Sequence, residues 1–220
     1  MIVALLGDPV SASLSPLMQN AAFAARGLDW TYVALRVRAS ALEDALRGLV
    51  ALELAGANVT TPHKRDVARL VRADVESVNT LVMRDGALHG TSTDAAILRE
   101  LEFERPAILG DGGAAAAFAA ALPHAARFSR RGTWPADVRG ADLVVNATSE
   151  RDEVIAQLGP GQTLVDLPYP ATATARDAAE RGAHVIDGLD VLVAQGAASF
   201  ELWTGVAAPV DVMHAAVRSA

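Results

Sequence analysis

Cysteine is absent from the 220 residues. Disulfides, zinc–thiolate sites, iron–sulfur clusters and thiol nucleophiles are therefore excluded, and a reducing compartment is allowed. Aromatic residues make up only 5% of the chain. Trp30, Trp134 and Trp203 are too widely separated to form a stacking platform for bases, and they read as core or interface anchors. There is also no block of like charge. With 19 Lys+Arg against 26 Asp+Glu the formal net charge is -7, which argues against nucleic acid, because a polyanion needs a clustered basic surface. Long apolar runs are missing too. Residues 1–6 are apolar but stop at Gly7-Asp8-Pro9, short of a secretory core and of the ~20 residues of a membrane span. The expected location is cytoplasmic, with no membrane partner. The five histidines are dispersed, without the spacing of a metal site, so no metal is expected. What remains is a chain that is 51% hydrophobic and 20% charged, enough to bury a sizeable core in one large domain or two small ones.

Apolar runs of strand length recur at residues 2–6, 32–37, 57–59, 78–83, 107–109, 143–145, 164–167 and 185–186. Unbroken runs without polar alternation suit parallel strands covered on both faces. Helical patterns lie between them, at 16–26, 41–49, 95–101, 114–122, 173–181, 191–204 and 210–218. The alternation predicts an α/β fold. Asp85-Gly86 is the one clear hairpin signal, since it supplies the positive φ values of a tight primed turn. Residues 102–106, charged and ending in Pro106, mark the best boundary between two domains.

In the second half, Gly110-Asp111-Gly112-Gly113 follows a strand and, with Ala114, opens a helix. Glycines there let the backbone approach a pyrophosphate, whose charge meets the helix N-terminal amides. Close strand–helix packing alone is the other reading of the same glycines. In a unit binding NAD, an acidic residue ~20 residues on holds the ribose 2′-hydroxyl. Here the next strand ends in Ser129-Arg130-Arg131. Two guanidiniums are suited to a 2′-phosphate, which favours NADP; the alternative is an ordinary solvated turn. Asn146-Ala147-Thr148 ends the following strand, where ligands of open α/β sheets bind. Only 14 residues separate Arg131 from Asn146, too few for a full helix and another strand, so this domain is expected to be trimmed.

In the first half, Ser15-Pro16 reads as a helix start, with Ser as N-cap and Pro at the first helical position. Ser13 has no such explanation. Hydroxyls on a turn at a strand's end are also suited to a carboxylate. Asn58-Val59-Thr60-Thr61-Pro62-His63-Lys64 presents an amide, hydroxyls and an ammonium at the end of another strand. Asn79-Thr80 and Ser92-Thr93-Asp94 repeat the theme of short polar groups. Taken singly, Lys64 is a solvated first-turn lysine and Asp94 a helix-cap carboxylate.

Together these segments occur in the order seen in the shikimate dehydrogenases, which the chain resembles over nearly its whole length. The resemblance adds Val78-Asn79-Thr80, Asp166-Leu167-Pro168-Tyr169, and Gly188-Leu189 through Leu192-Val193 to Gln195-Gly196-Ala197 and Phe200. It implies a two-domain enzyme that reduces 3-dehydroshikimate to shikimate with NADPH, in aromatic amino acid biosynthesis. The implied architecture is an N-terminal α/β substrate domain, residues 1–101 with 189–220, and a Rossmann-like NADP-binding domain, residues 102–188, with C-terminal helices returning to the first. Ser13 and Ser15 would hold the substrate carboxylate. Thr60, Lys64, Asn79, Asp94 and Gln195 would grip the ring hydroxyls, with Lys64 and Asp94 as the catalytic pair and Tyr169 near the substrate. Gly110, Asp111, Gly112, Gly113, Ala114, Ser129, Arg130, Arg131, Asn146, Ala147, Thr148, Leu167, Gly188 and Val191 would line the cofactor site. A monomer or homodimer is implied. A paralogue acting on quinate or a related substrate, and a silent shikimate-binding protein, are the alternatives.

Several positions depart from the family pattern. Ser92 stands where Asn is usual, Glu76-Ser77 where Gly-Ala is usual, Ala12 where His is common, and Ser129 in place of Asn. Asp111 replaces an alanine in the glycine turn. A carboxylate there repels a pyrophosphate unless it points outward or hydrogen-bonds locally. The Gly-Met loop usual after Asn-Ala-Thr is replaced by Ser149-Glu150-Arg151-Asp152-Glu153. With the trimmed segment after Arg131, this predicts weaker or altered nucleotide selectivity.

Overall fold

The structure, a computed structural model, describes residues 1–220. Its chain divides into two compact units, residues 1–93 with 193–220 and residues 94–192. The sequence reading placed the crossings after residue 101 and before residue 189. Residues 95–101, expected as a helix, form a 3-10 segment, Ala96–Glu100, that buries Ile97, and they belong to the second unit. The return crossing falls inside a continuous helix, where no shift of composition marks it.

The first unit is built on β1 (Ile2–Gly7), α1 (Ser15–Ala25), β2 (Thr31–Arg36), α2 (Leu42–Ala51), β3 (Gly56–Val59), α3 (Lys64–Leu70), β4 (Arg72–Ala73), β5 (Thr80–Arg84) and β6 (Ala87–Thr91). The six strands lie in the order β2-β1-β3-β5-β6-β4. Strands β2, β1 and β3 are parallel, whereas β5 runs antiparallel to both β3 and β6. Asp85 and Gly86 take φ values of 50 and 71, the pair of positive values a tight primed turn requires, and they join β5 to β6 as the sequence predicts. Leu42, Leu46 and Leu49 of α2 recur at helical spacing and enter a core with Leu6, Val59 and Leu81.

The second unit is a fully parallel sheet in the order β11-β10-β9-β7-β8. It is formed by β7 (Pro106–Leu109), β8 (Ala126–Phe128), β9 (Leu143–Asn146), β10 (Thr163–Asp166) and β11 (His184–Ile186). Helix α4 (Gly113–Ala121) links β7 to β8, and α5 (Ala173–Glu180) links β10 to β11. The crossings from β8 to β9 and from β9 to β10 contain no helix; the first of these is the short segment after Arg131 that the sequence marks as trimmed. A parallel sheet still needs both faces covered. Trp134, Ala136, Val138, Ile155, Ala156 and Leu158, all in these coil crossings, supply apolar cover. Coil also leaves carbonyls without a ladder partner. Gln162 meets this need, its Nε2 donating to the carbonyls of Val138 at 3.0 Å and Ala141 at 2.7 Å.

Helix α6 (Gly188–Thr204) carries the chain back, and its residues from 193 onward pack in the first unit together with α7 (Val210–Arg218). Gly196 allows this return. A Cβ there would lie 2.2 Å from Met18 Cε, and Gln19 Nε2 donates to the Gly196 carbonyl at 2.9 Å.

Candidate functional site

In an open α/β sheet, ligands bind at the carboxyl ends of the strands, where the connections leave in opposite directions. In the first unit that point lies between β1 and β3. The chain runs from β1 to β2 on one side and then crosses to β3 on the other. The loops after β1 and β3 are tied there: Thr60 N–H donates to the Leu6 carbonyl at 2.8 Å and Asp8 N–H to the Thr61 carbonyl at 3.1 Å. Ser13 and Ser15 leave the first loop, Thr60 and Lys64 the second, so four predicted site residues share one strand-end region. Gly7 makes the approach possible, since a Cβ there would meet Thr60 Cγ2 at 2.4 Å.

Ser15 is not the N-cap of α1. It is the first helical residue and is buried. Ser13 takes a capping part instead, its Oγ accepting the Ser15 N–H at 3.2 Å. Lys64 opens α3 and is half-buried. Before it, His63 is fully buried, with Nε2 2.6 Å from the Val37 carbonyl. After it, the Lys64 carbonyl accepts the Val78 N–H at 3.0 Å. The turn carrying the lysine is thus held from both sides.

Behind these loops lies a buried polar cluster. Asn79 Oδ1 accepts the Thr93 N–H at 2.7 Å, and its Nδ2 donates to Thr93 Oγ1 at 2.9 Å and Gln195 Oε1 at 3.4 Å. Asn79 and Gln195, 116 positions apart in sequence, are therefore brought together. Asn58 and Ser199, absent from the predicted set, complete the cluster. Asn58 Nδ2 donates to the Asn79 carbonyl at 3.0 Å and to Thr80 Oγ1 and Ser199 Oγ at 3.1 Å, and its Oδ1 accepts the Tyr32 hydroxyl at 2.9 Å. Ser199 lies four residues after Gln195 on α6, hence on the same helix face, a signal open to the sequence reader. Asp94, directly after Thr93, is buried and begins the second unit.

The second unit repeats the topological device. The chain leaves β7 for β8 on one side and then crosses to β9 on the other, so the opening lies between β7 and β9. Gly110 has a φ of +115, and a Cβ on it would lie 2.9 Å from the Ala147 carbonyl oxygen. The glycine turn and the Asn146-Ala147-Thr148 segment are thus in contact. Gly112 is the N-cap of α4 without a side-chain cap, followed by Gly113 and Ala114. A Cβ on Gly112 would meet nothing within 4 Å and the residue is exposed, so the backbone is open on that side of the helix start, and a glycine turn at the positive end of a helix fits a pyrophosphate. Leu167 N–H donates to the Asn146 carbonyl at 3.1 Å. Gly188 is pressed on the same segment, where a Cβ would be 2.4 Å from the Pro168 carbonyl oxygen. Val191, one turn later, is buried. Tyr169, predicted near the substrate, is half-buried in the second unit, and its carbonyl accepts from Arg151 Nη1 at 3.0 Å.

Beneath the rim, Asp166 is fully buried. It accepts from Asn146 Nδ2 at 2.7 Å and from the Thr172 N–H and hydroxyl at 3.1 Å. Burial pushes its carboxyl above the ordinary value, and these hydrogen bonds offset part of that. Asn146 Oδ1 in turn accepts the Thr148 N–H at 3.1 Å and hydroxyl at 2.8 Å, fixing the loop after β9.

The arginines expected for a 2′-phosphate are already engaged. Ser129 caps the turn that carries them, its carbonyl accepting the Gly132 N–H at 3.0 Å. Arg130 Nη2 donates to Glu150 Oε2 at 3.0 Å and Glu153 Oε2 at 3.1 Å. Arg131 faces the Asp111 carboxylate at 3.6 Å, which is how the acidic residue in the glycine turn is compensated. The sequence contained both glutamates but not the fold of the shortened loop that brings them across 20 and 23 positions. No group of three or more His, Cys, Asp or Glu is placed to hold a metal ion.

The chain matches two family models: the shikimate dehydrogenase substrate binding domain over residues 5–81 and the shikimate 5′-dehydrogenase C-terminal domain over residues 188–218. A curated relative from Moorella thermoacetica, named shikimate dehydrogenase (NADP(+)), is 41% identical over 274 aligned positions, covering 100% of this chain and 93% of the relative. The alignment is longer than the 220-residue chain, so the relative carries segments that this chain lacks. Among solved structures, a shikimate dehydrogenase crystallised with NADP+ superposes with a TM-score of 0.90 at 30% identity, covering 99% of this chain and 94% of that one. The Thermus thermophilus enzyme in complex with NADP(H) and shikimate gives 0.86 at 28% identity, covering 100% and 99%.

Proposed function

The chain belongs to the shikimate dehydrogenase family, and on that premise we propose that it catalyses the reversible, NADP-dependent reduction of 3-dehydroshikimate to shikimate in aromatic amino acid biosynthesis. The observation that carries this reading is the placement of the predicted polar residues at the strand-end opening of each sheet. Ser13 and Ser15 take the hydroxy acid through its carboxylate, and Thr60, Asn79 and Gln195 through its ring hydroxyls with Lys64 and Asp94. Tyr169 is a further residue assigned to the substrate. Gly110 to Ala114, Ser129 to Arg131, Asn146 to Thr148, Leu167, Gly188 and Val191 receive the cofactor. When bound, NADPH supplies the hydride.

As the ketone is reduced, negative charge grows on its oxygen. The Lys64 ammonium stabilises that charge and delivers the proton, while Asp94 orients the lysine and the reacting hydroxyl. Lys64 is the single lysine among 19 basic residues. The rest are arginines, whose guanidinium does not give up a proton near neutral pH, so the proposed proton donor is the only lysine ammonium of the chain. From the family resemblance and the charge and apolar pattern of the sequence we infer a monomer or homodimer acting in the cytoplasm, without nucleic-acid or membrane partners. No helix is long and apolar enough to cross a membrane.

The test is reduced-cofactor absorbance with shikimate and NADP+. Lys64→Ala is expected to lower kcat by about 10²–10⁴-fold, the range of general acid–base catalysis, with a smaller effect on shikimate binding. Unchanged turnover would remove Lys64 from the chemistry. Because the amine is unique apart from the N-terminus, acylation mapped by mass spectrometry provides a second readout: shikimate with NADP+ should protect it.

A further inference from the structure

The two carboxylates on Arg130 are not required by the reaction, and one of them is built in place. Glu150 Oε1 accepts the backbone N–H of Arg151 at 3.1 Å and of Asp152 at 3.2 Å. Its own N–H donates to Thr148 Oγ1 at 3.3 Å, and that hydroxyl donates to Asn146 Oδ1 at 2.8 Å. A chain of hydrogen bonds from the end of β9 therefore fixes Glu150 with Oε2 on Arg130. The Asp152 N–H and the neighbouring amides hold its carboxyl below the ordinary value. Glu153 joins at the same arginine nitrogen. Arg130, Arg131, Glu150, Glu153 and Asp111 together carry one more negative than positive charge. A phosphate monoester brings about -1.5 to -2 more at neutral pH, so it must displace the carboxylates or sit against them.

We propose that Glu150 and Glu153 set the nucleotide selectivity of this protein: by occupying Arg130 they weaken the hold on a 2′-phosphate and narrow the margin by which NADP is bound over NAD. This rests on the reading of Arg130 as the group that receives the 2′-phosphate. Bare NAD lacks that phosphate and is little affected by the pair. The glutamates select against the phosphorylated nucleotide by repulsion, and the arginine selects for it by attraction.

Calorimetric titration of the full chain with NADP+ and with NAD+, without shikimate, tests this. Glu150→Gln with Glu153→Gln preserves shape and the Oε1 acceptor. It is expected to tighten NADP+ about tenfold while NAD+ moves by less than about twofold. No change for NADP+, or equal tightening of both nucleotides, overturns the proposal. Arg130→Gln separates the two layers. It is expected to remove the NADP+ preference and to abolish the effect of the glutamine pair in the triple variant. If Arg130→Gln lowers the preference but the glutamine pair does not raise it, the inference fails and the reading of Arg130 stands. If Arg130→Gln leaves the preference at the wild-type value, the reading itself fails and takes the inference with it. Glu153→Gln alone, at a side chain 71% exposed, is the fallback should the loop lose its shape, and it must shift NADP+ in the same direction.

Discussion

The two units place their loops at the same kind of opening but hold them by different means. In the first, Asn58, Asn79, Thr80, Thr93 and Ser199 are buried and bonded to one another across as many as 141 positions. In the second, the rim is held by close main-chain approach at Gly110 and Gly188 and dressed with exposed ion pairs. Buried hydrogen bonds are costly to break, whereas exposed pairs contribute little to stability. On the proposed site assignment, the first unit is a fixed mould for the substrate and the second a fixed frame for the cofactor with adjustable charges. Under that assignment nucleotide selectivity can change without disturbing the fold.

The largest effect is expected at the mould. Asn58→Ala removes four hydrogen bonds linking β2, β3, β5 and α6. It is expected to cost about 3 kcal/mol in urea denaturation. A loss below about 1 kcal/mol would mean that the cluster does not hold the unit together.

Next is the frame. Gly110→Ala forces a side chain into a left-handed backbone 2.9 Å from the Ala147 carbonyl oxygen. A cost of about 1–3 kcal/mol is expected, accompanied by weaker binding of NADP+ and NAD+ alike, since the turn faces what the two share. Selective loss of NADP+ would contradict the separation of frame from charge.

A subtler test is Asp166, whose carboxyl is raised by burial. The folded state then keeps its proton at pH values where the unfolded chain has released it. Its contribution to stability is complete below the unfolded pKa and is lost as pH rises through the folded one. Asp166→Asn removes that component. Its deficit relative to the wild type, from urea midpoints between about pH 4 and pH 8, should shrink as pH rises. A growing deficit would show that the hydrogen bonds from Asn146 and Thr172 outweigh burial.

Much of this was legible in the sequence because it rests on local rules. Strand-length apolar runs, the Asp85-Gly86 turn and the glycines before α4 each state their geometry within a few residues. The crossing after Arg131 was legible as too short, but not how Trp134, Val138 and Gln162 would do the work of a missing helix. The same limit applies to Glu150, Glu153 and Asp166. Each acts on a partner that only the fold brings near, and its residue type alone does not name that partner. Lys64 is the opposite case. Its uniqueness among the basic residues is plain in the composition, yet its meaning depends on the chemistry of the site.

The smallest effect is expected at Asp137, and it shows how little an exposed pair contributes. Both of its oxygens are engaged by the Arg139 guanidinium, at 2.9 and 2.6 Å, and the side-chain hydrogen bond from Arg139, ahead of one from its backbone, lowers the carboxyl to about 2. Such a shift would add stability above the ordinary carboxylate range, lost as pH falls toward 2, if the unfolded chain lacked the pair. The partners are two residues apart and both are exposed, so the unfolded chain forms the same contact and the difference between the two states vanishes. Asp137→Asn should leave the urea midpoint unchanged at neutral pH, and a clear loss would place tertiary structure in a loop that here contains a local clasp.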